Sequence, residues 1–251
     1  MPNEQPFPRD AASRQASHAG CTAHAVNDLE TAALSMDTSE ANRRPIKARG
    51  NPFIQRLARR MAEAGITPNS ISVASVVFAA LGAICLLVSP VGWGAIACAV
   101  GIQLRLLCNL IDGMVAVEGG RKTPTGALYN EVPDRVADSV LLVSLGYAVG
   151  VPWLGWLAAL AAACTAYVRV LGGSLGLVQS FRGPMAKQHR MALMTGACLL
   201  SPLFGTTGLL HLALILIVLG ALITCGTRLN TTGNVAERLS AGMIWSLFNA
   251  S

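Results

Sequence analysis

Between residues 66 and 226 apolar residues run almost without a break, and the interruptions are short and rich in Pro, Gly and Ser. Ile66-Thr67-Pro68-Asn69 reads as a turn and cap leading into a first apolar stretch, Ser70–Val88. Ser-Pro-Val-Gly at 89–92 separates it from a second, Trp93–Ile111. A third runs from about Asp134 to Val149, extended at its start by Gly126–Pro133, and Pro152–Gly172 forms a fourth. Gln188–Leu203 and Thr207–Cys225 follow as a fifth and a sixth. Crossing a hydrocarbon core of ~30 Å takes about 17–25 helical residues, and each stretch comes near that length, the fifth being the shortest. No repeat recurs at a fixed period.

Outside this block the pattern changes. Residues 1–42 are polar, rich in Ala, Ser, Asn and Asp, and show no sustained period, which predicts a disordered N-terminal segment. Residues 43–49 are a short basic patch. From Pro52 to Ala64 the pattern turns helical: Phe53, Leu57 and Met61 recur at i+4 on one side, with Arg56, Arg59, Arg60 and Glu63 projecting elsewhere. Pro52 suits a first helical turn and Gly65 a stop. A basic amphipathic helix of this kind lies on a membrane surface. The alternative, a solvated helix against a soluble domain, lacks a soluble domain to pack on. After residue 226 comes a tail with one more amphipathic piece (Met243, Ile244, Trp245, Leu247, Phe248). The predicted organisation is a disordered segment 1–42, a basic interfacial helix 43–65, a six-helix membrane domain 66–226 and a cytoplasmic tail 227–251.

Composition agrees with this layout. The 251 residues are 53% hydrophobic and 13% charged, against about 25% charged in soluble domains, and the mean hydropathy is +0.51. The fold class predicted is an all-α integral membrane protein with six transmembrane helices preceded by an amphipathic surface helix. The 25 glycines suit close helix packing in a bilayer. The net charge of +6 is uneven: nine of the 19 Lys and Arg precede residue 66, which suits an anionic leaflet. No basic stripe interleaved with aromatics appears, so no nucleic-acid partner is expected. The seven cysteines lie mostly in apolar runs without a CxxC pair and read as small hydrophobes. No secretory signal opens the chain, since the first long apolar run begins near residue 70.

The turns at 89–92, 149–152 and 204–207 carry no Lys or Arg, whereas the other side carries Arg121, Lys122, Arg135, Arg182, Lys187, Arg190 and the basic N-terminal segment. The positive-inside rule then places both termini on the cytoplasmic side of the inner membrane.

One window breaks the apolar block. Every acidic residue between 66 and 226 (Asp112, Glu118, Glu131, Asp134, Asp138) falls within Asn109–Asp138. A carboxylate at a helix centre costs roughly 2.5–3.5 kcal/mol on insertion scales, so five of them together read as a site. Asn109 and Asp112 are three apart and share a helix face. Gly113 allows backbone to approach a ligand. Gly126, Asn130, Asp134 and Asp138 recur every four residues along the next helix. Two helix ends thereby aim Asn109, Asp112, Asn130 and Asp134 toward one point on the cytoplasmic side. Hard oxygen donors at this density suit Mg²⁺ or Mn²⁺ bound through a few carboxylates and substrate phosphates. A metal pair would polarise a pyrophosphate, and a spare carboxylate would deprotonate an alcohol. Phosphoryl or phosphatidyl transfer is the reaction class.

Basic residues stand on the same side. Arg169 lies inside an apolar run, which marks a functional-site candidate as readily as a snorkelling arginine. The loop Phe181–Arg190, with Arg182, Lys187 and Arg190, forms a cationic cluster suited to the phosphate of an acceptor or a lipid; ordinary positive-inside charge explains each single residue as well. Arg105 reads as a lipid-phosphate contact or a structural partner of Asp112. His189 reads equally as an exposed loop residue or a ligand, and His211 has no assigned role.

The string Asn109-x-x-Asp112-Gly113-x-x-Ala116-Val117, followed by Gly126-x-x-x-Asn130-x-x-x-Asp134, resembles the signature of the CDP-alcohol phosphatidyltransferases, D-x-x-D-G-x-x-A-R, a gap, then G-x-x-x-D-x-x-x-D. The resemblance covers roughly Ile46–Cys225, and Ile66-Thr67-Pro68-Asn69 looks like the usual entry to the family's first spanning helix. It implies six transmembrane helices and an N-terminal surface helix. It also implies transfer of a phosphatidyl group from CDP-diacylglycerol to an alcohol acceptor, with release of CMP and dependence on Mg²⁺ or Mn²⁺. By position, Asp112 is a metal ligand, Asp134 a ligand and the catalytic base, and Gly113, Ala116 and Gly126 lie against the nucleotide. Asn109 and Asn130 stand at two acidic positions and Val117 at the arginine. Each Asn keeps a carbonyl oxygen but removes a negative charge, for which Glu131 and Asp138 are expected to compensate as further ligands. A second register, with Asp134 and Asp138 as the last two acidic positions, fits Gly126 and the gap less well. The acceptor stays open among glycerol 3-phosphate, a polyol phosphate, serine and inositol-type alcohols; the 182–190 loop tilts toward a phosphorylated one. Homodimers are common in the family, so a homodimer is expected. The competing reading is a catalytically silent relative that binds CDP-lipid or scaffolds other membrane proteins. A transporter is disfavoured because the charges sit at one interface and not near the midplane.

Overall fold

The protein is described from a computed structural model, over residues 51–118, 126–175 and 183–249; the side chains of Val117, Glu118, Ala127 and 235–249 are excepted. The expected disordered segment 1–42, the basic patch 43–49, Arg121, Lys122, Arg182 and the side chains of the C-terminal amphipathic piece lie outside the described residues.

Seven helices follow one another among the described residues: α1 Pro52–Glu63, α2 Pro68–Val88, α3 Trp93–Glu118, α4 Gly126–Ala148, α5 Pro152–Ser174, α6 Lys187–Phe204 and α7 Gly208–Asn249. Local chemistry sets several of their ends. Asn51 accepts the Phe53 N–H at 2.9 Å, and Thr67 accepts the Ser70 N–H at 3.2 Å, each ahead of a proline in the first turn. α6 stops at Gly205, whose φ of +62° is left-handed and suits a residue without a Cβ.

α2 packs on α3 and α4, α5 on α4 and α7, and α6 on α3 and α7. The core between them is Ala79, Leu86, Cys98, Ile102, Leu141, Leu145, Ala158, Met191, Met194, Leu214 and Ile217, all fully buried. Small residues set how closely the helices approach. A Cβ on Gly101 would lie 2.8 Å from the Phe78 carbonyl oxygen, and one on Gly146 would lie 2.6 Å from the Gly155 Cα. Both crossings therefore need glycine.

Outward faces are apolar as well. Leu81, Ile84, Trp156, Leu160, Leu219 and Ile223 are each more than half exposed. A surface this apolar fits lipid and not water. Among the described residues four helices are long and apolar enough to cross a membrane by length and composition: Pro68–Val88, Trp93–Ala116, Pro152–Ser174 and Gly208–Asn234. The chain is an all-α membrane protein. Apart from the short α1, the helices that do not meet that criterion are α4 and α6, and they carry Glu131, Asp134, Arg135 and Asp138 in one case and Lys187 and Arg190 in the other. Their polarity is concentrated at the site.

Three sequence expectations need correction. α3 does not end at Ile111 but continues to Glu118, so Asn109 and Asp112 lie within a helix and not at its end. Gly113 alone costs about 1 kcal/mol in a helix interior, too little to break one held by packing. α7 does not stop at Cys225; it continues to Asn249, 42 residues in all. At 1.5 Å per residue it is about 63 Å long, roughly twice a hydrocarbon core. Third, the buried stripe of α1 is Ile54, Leu57, Ala58, Met61 and Ala62, packed on Ile111, Met114 and Val115 of α3, while Phe53 is 72% exposed. The i, i+3, i+4, i+7 spacing of that stripe is the fuller helical face, and it is spent on protein.

Candidate functional site

α3 and α4 bring their polar residues together beyond the apolar core, and α6 begins beside them. Asp138, on α4, is 2% exposed and held by two arginines. Arg105 of α3 donates from Nη2 at 2.5 Å, and Arg190 of α6 donates from its own Nη2 at 2.9 Å. Both guanidinium groups are fully buried. Arg190 also donates to the Met185 carbonyl at 3.0 Å and to Thr165 Oγ1 at 3.4 Å. The cluster ties three helices together. It is not fully satisfied, since the Nε atoms of Arg105 and Arg190 have no hydrogen-bond partner.

One turn earlier on α4, Asp134 meets a different set. Its Oδ1 accepts from Asn109 Nδ2 at 2.7 Å and lies 2.5 Å from Lys187 Nζ. Arg105 Nη2 stands 3.5 Å from the same oxygen, and Arg135 Nη2 stands 3.9 Å from Oδ2. The Asp134 side chain keeps 13% of its exposure. Pro133, immediately before it, lies inside α4 and has no N–H for the Tyr129 carbonyl one turn back.

Asp112, on α3, is 4% exposed and accepts a hydrogen bond at 2.7 Å from Ser72 of α2. Among the described residues no basic nitrogen lies within 4.0 Å of it. It does lie within electrostatic range of Asp134 and Lys187. Gly113 and Ala116 follow on the same helix, both half-buried, as is Gly126 at the start of α4. Asn130 is exposed, one turn before Asp134. Glu131 pairs with Arg169 of α5 and, at 3.3 Å, with Arg135.

The structure thus unites Asn109, Asp134 and Lys187, with Asp112 facing them, and it moves other expected residues out of the group. Asp138, expected as a further ligand, is enclosed by Arg105 and Arg190, whose charges take up both its oxygens. Arg190, expected to grip an acceptor phosphate, is 1% exposed and turned toward Asp138. Arg105 pairs with Asp138 and Asp134, not with Asp112. Glu131 is engaged by two arginines. Ser72 was not anticipated: it is a serine at the start of an apolar helix, and its only signal was a hydroxyl where an apolar residue would serve packing equally well.

A resident metal has to fit this donor set. Among the described residues no three His, Cys, Asp or Glu side chains are grouped so as to hold a metal ion. Asp112, a buried carboxylate with no basic nitrogen within 4.0 Å among the described residues, and the Asn109 carbonyl oxygen nearly one turn before it are donors of the kind a hard divalent cation takes, completed by substrate oxygens. The residues fit one ion.

No family model matches the sequence. A phosphatidylinositol phosphate synthase from Streptomyces avermitilis is 30% identical over 196 residues, covering 72% of this chain and 76% of that protein. The chain belongs to the CDP-alcohol phosphatidyltransferase family. A phosphatidylinositol phosphate synthase from Mycobacteroides abscessus is 24% identical over 204 residues, covering 77% of the chain and 87% of that relative. The fold is also that of the Mycobacterium tuberculosis phosphatidylinositol phosphate synthase. Its crystal structure with CDP-DAG bound matches with a TM-score of 0.64 at 21% identity, over 72% of this chain and 94% of that one. Its structure with manganese and citrate matches with a TM-score of 0.63 at 22% identity, over 71% and 88%. As a CDP-alcohol phosphatidyltransferase the chain is an enzyme of phospholipid synthesis, with Asn at two positions where the family signature has Asp.

Proposed function

We propose that this protein transfers a phosphatidyl group from CDP-diacylglycerol to a phosphorylated polyol, releasing CMP. The observation that carries the reading is the meeting of Asp134, Asn109 and Lys187 within electrostatic range of Asp112, while the neighbouring Glu131 and Asp138 are paired with arginines. The relatives named for phosphatidylinositol phosphate synthesis favour an inositol phosphate over glycerol 3-phosphate as the acceptor.

Asp112, with the carbonyl oxygens of Asn109 and Asn130, would hold a Mg²⁺ or Mn²⁺ ion. When bound, the ion supplies positive charge to the pyrophosphate oxygens. Asp134 accepts the proton of the acceptor hydroxyl at a carboxylate oxygen, while Lys187 and Asn109 hold that carboxylate in place. The small residues Gly113, Ala116 and Gly126 leave room for the nucleotide. Lys187 and Arg169 are the cations proposed to meet an acceptor phosphate.

In the same reading α2–α7 are the six crossings, α1 sits at the interface, and the site and both termini face the cytoplasm. A homodimer is the assembly proposed.

The test is CMP release from CDP-diacylglycerol by the detergent-purified chain, with Mg²⁺ or Mn²⁺, over a panel of inositol phosphate, glycerol 3-phosphate, serine and inositol. Release that needs one acceptor and vanishes in Asp134→Asn supports the reading and names the product. Binding of CDP-diacylglycerol without release for any acceptor would replace it with that of a silent lipid-binding relative.

A further inference from the structure

We propose that Lys187 is a built-in cation of the site: it holds Asp134, so the site takes a single divalent ion, on the Asp112 side. This inference rests on the reading of the cluster as a metal-assisted phosphatidyl transfer site.

The two carboxylates are unequally provided for. Asp134 Oδ1 has Lys187 Nζ at 2.5 Å, the Asn109 amide at 2.7 Å and Arg105 at 3.5 Å, with Arg135 near its other oxygen. An ion binding there would displace the ammonium and put a double positive charge beside two guanidinium groups. Asp112 is 96% removed from solvent, since only 4% of it is exposed, and a serine hydroxyl is the one side chain bonded to it. A buried carboxylate with no basic nitrogen paired to it is costly in an apolar surrounding, and a bound cation removes that cost.

The position of Lys187 also needs explaining. It is the first residue of α6, where the helix dipole is positive and a lysine is disfavoured by a few tenths of a kcal/mol or more. Its side chain is only 21% exposed. A lysine placed against the dipole and largely out of water is held there by Asp134. The neighbouring asparagine agrees with this charge balance: Asn109 uses an N–H to reach Asp134, whereas an aspartate there would place a second negative charge on the same oxygen.

The test counts bound Mn²⁺ on the full-length chain in detergent, by equilibrium binding and by electron paramagnetic resonance, without turnover. The wild type is expected to bind one ion per chain, with an uncoupled spectrum, and Asp112→Asn none. The Lys187→Met/Asn109→Asp double variant is expected to bind two, with a spin-coupled spectrum. The Lys187→Arg/Asn109→Asp variant, which keeps the positive charge, is expected to stay at one. Two ions or none on the wild type overturns the proposal, as does a count of one on the Lys187→Met/Asn109→Asp chain. Gel-filtration profiles matching the wild type confirm that each variant is folded. A chain that binds one Mn²⁺ yet releases CMP with no acceptor leaves this proposal standing and removes the transferase reading. Two ions together with acceptor-dependent release does the reverse.

Discussion

Asp138 is reached from two sides by buried guanidinium groups, whereas Asp134, one turn earlier on the same helix, keeps an amide, an ammonium and an edge of solvent. The two aspartates share a helix face. What separates them is the neighbouring helices. α3 and α6 send arginines to Asp138, and they send Asn109 and Lys187 to Asp134. A carboxylate enclosed by two buried arginines has both oxygens engaged and almost no exposed surface for a substrate, and it acts as a clamp between helices. One held by an amide and a lysine stays placed and can still accept a proton.

This contrast can be broken from either end. Asp134→Asn should lower CMP release by about 10²–10⁴-fold, the range for loss of a positioned base, with a smaller loss of stability than at Asp138, since its partners Lys187 and Arg135 keep some solvent. Asp138→Ala should do the opposite in kind. It leaves Arg105 and Arg190 buried without their counter-charge and should cost about 3–5 kcal/mol of stability, read by denaturant unfolding in detergent. Equal loss of stability in both variants would erase the distinction.

Ser72→Ala sharpens it more gently. It removes the hydroxyl bonded to Asp112 and should weaken Mn²⁺ binding about 10–100-fold, as loss of a group that orients a ligand does, with the ion count unchanged. The smallest effect belongs to the rim. Arg135 and Glu131 keep 26% and 35% of their side-chain exposure, and Arg135→Ala should change stability by less than about 1 kcal/mol. A larger loss would mean that the enclosed cluster extends outward to Glu131.

Much of this was legible along the chain. The apolar stretches located α2 through α6 to within a few residues at most ends, because a lipid-facing helix must be apolar all round and its turns must not be. The clustering of carboxylates between Asn109 and Asp138 marked the site, because charge in that setting has to be compensated. The true length of α7 was not legible. Past Cys225 the sequence turns polar, and polarity ends a membrane crossing without ending a helix. Nor was the stripe of α1, where Phe53 and Ile54 compete for the same face until α3 supplies a surface that takes Ile54.

The sequence by itself therefore determined most of the helices, their membrane character and which short window gathers the carboxylates, since these depend on composition and on spacing within one segment. The division of labour inside that window was decided only in three dimensions. Arg105 and Asp138 are 33 residues apart, Ser72 and Asp112 are 40 apart, and Arg190 and Asp138 are 52 apart. A helical period says which residues share a face, but not which face of another helix they meet. The rotation of each helix about its own axis is fixed by glycine crossings and core packing far from the site, and that rotation decides which aspartate is closed in between two buried arginines and which meets lysine.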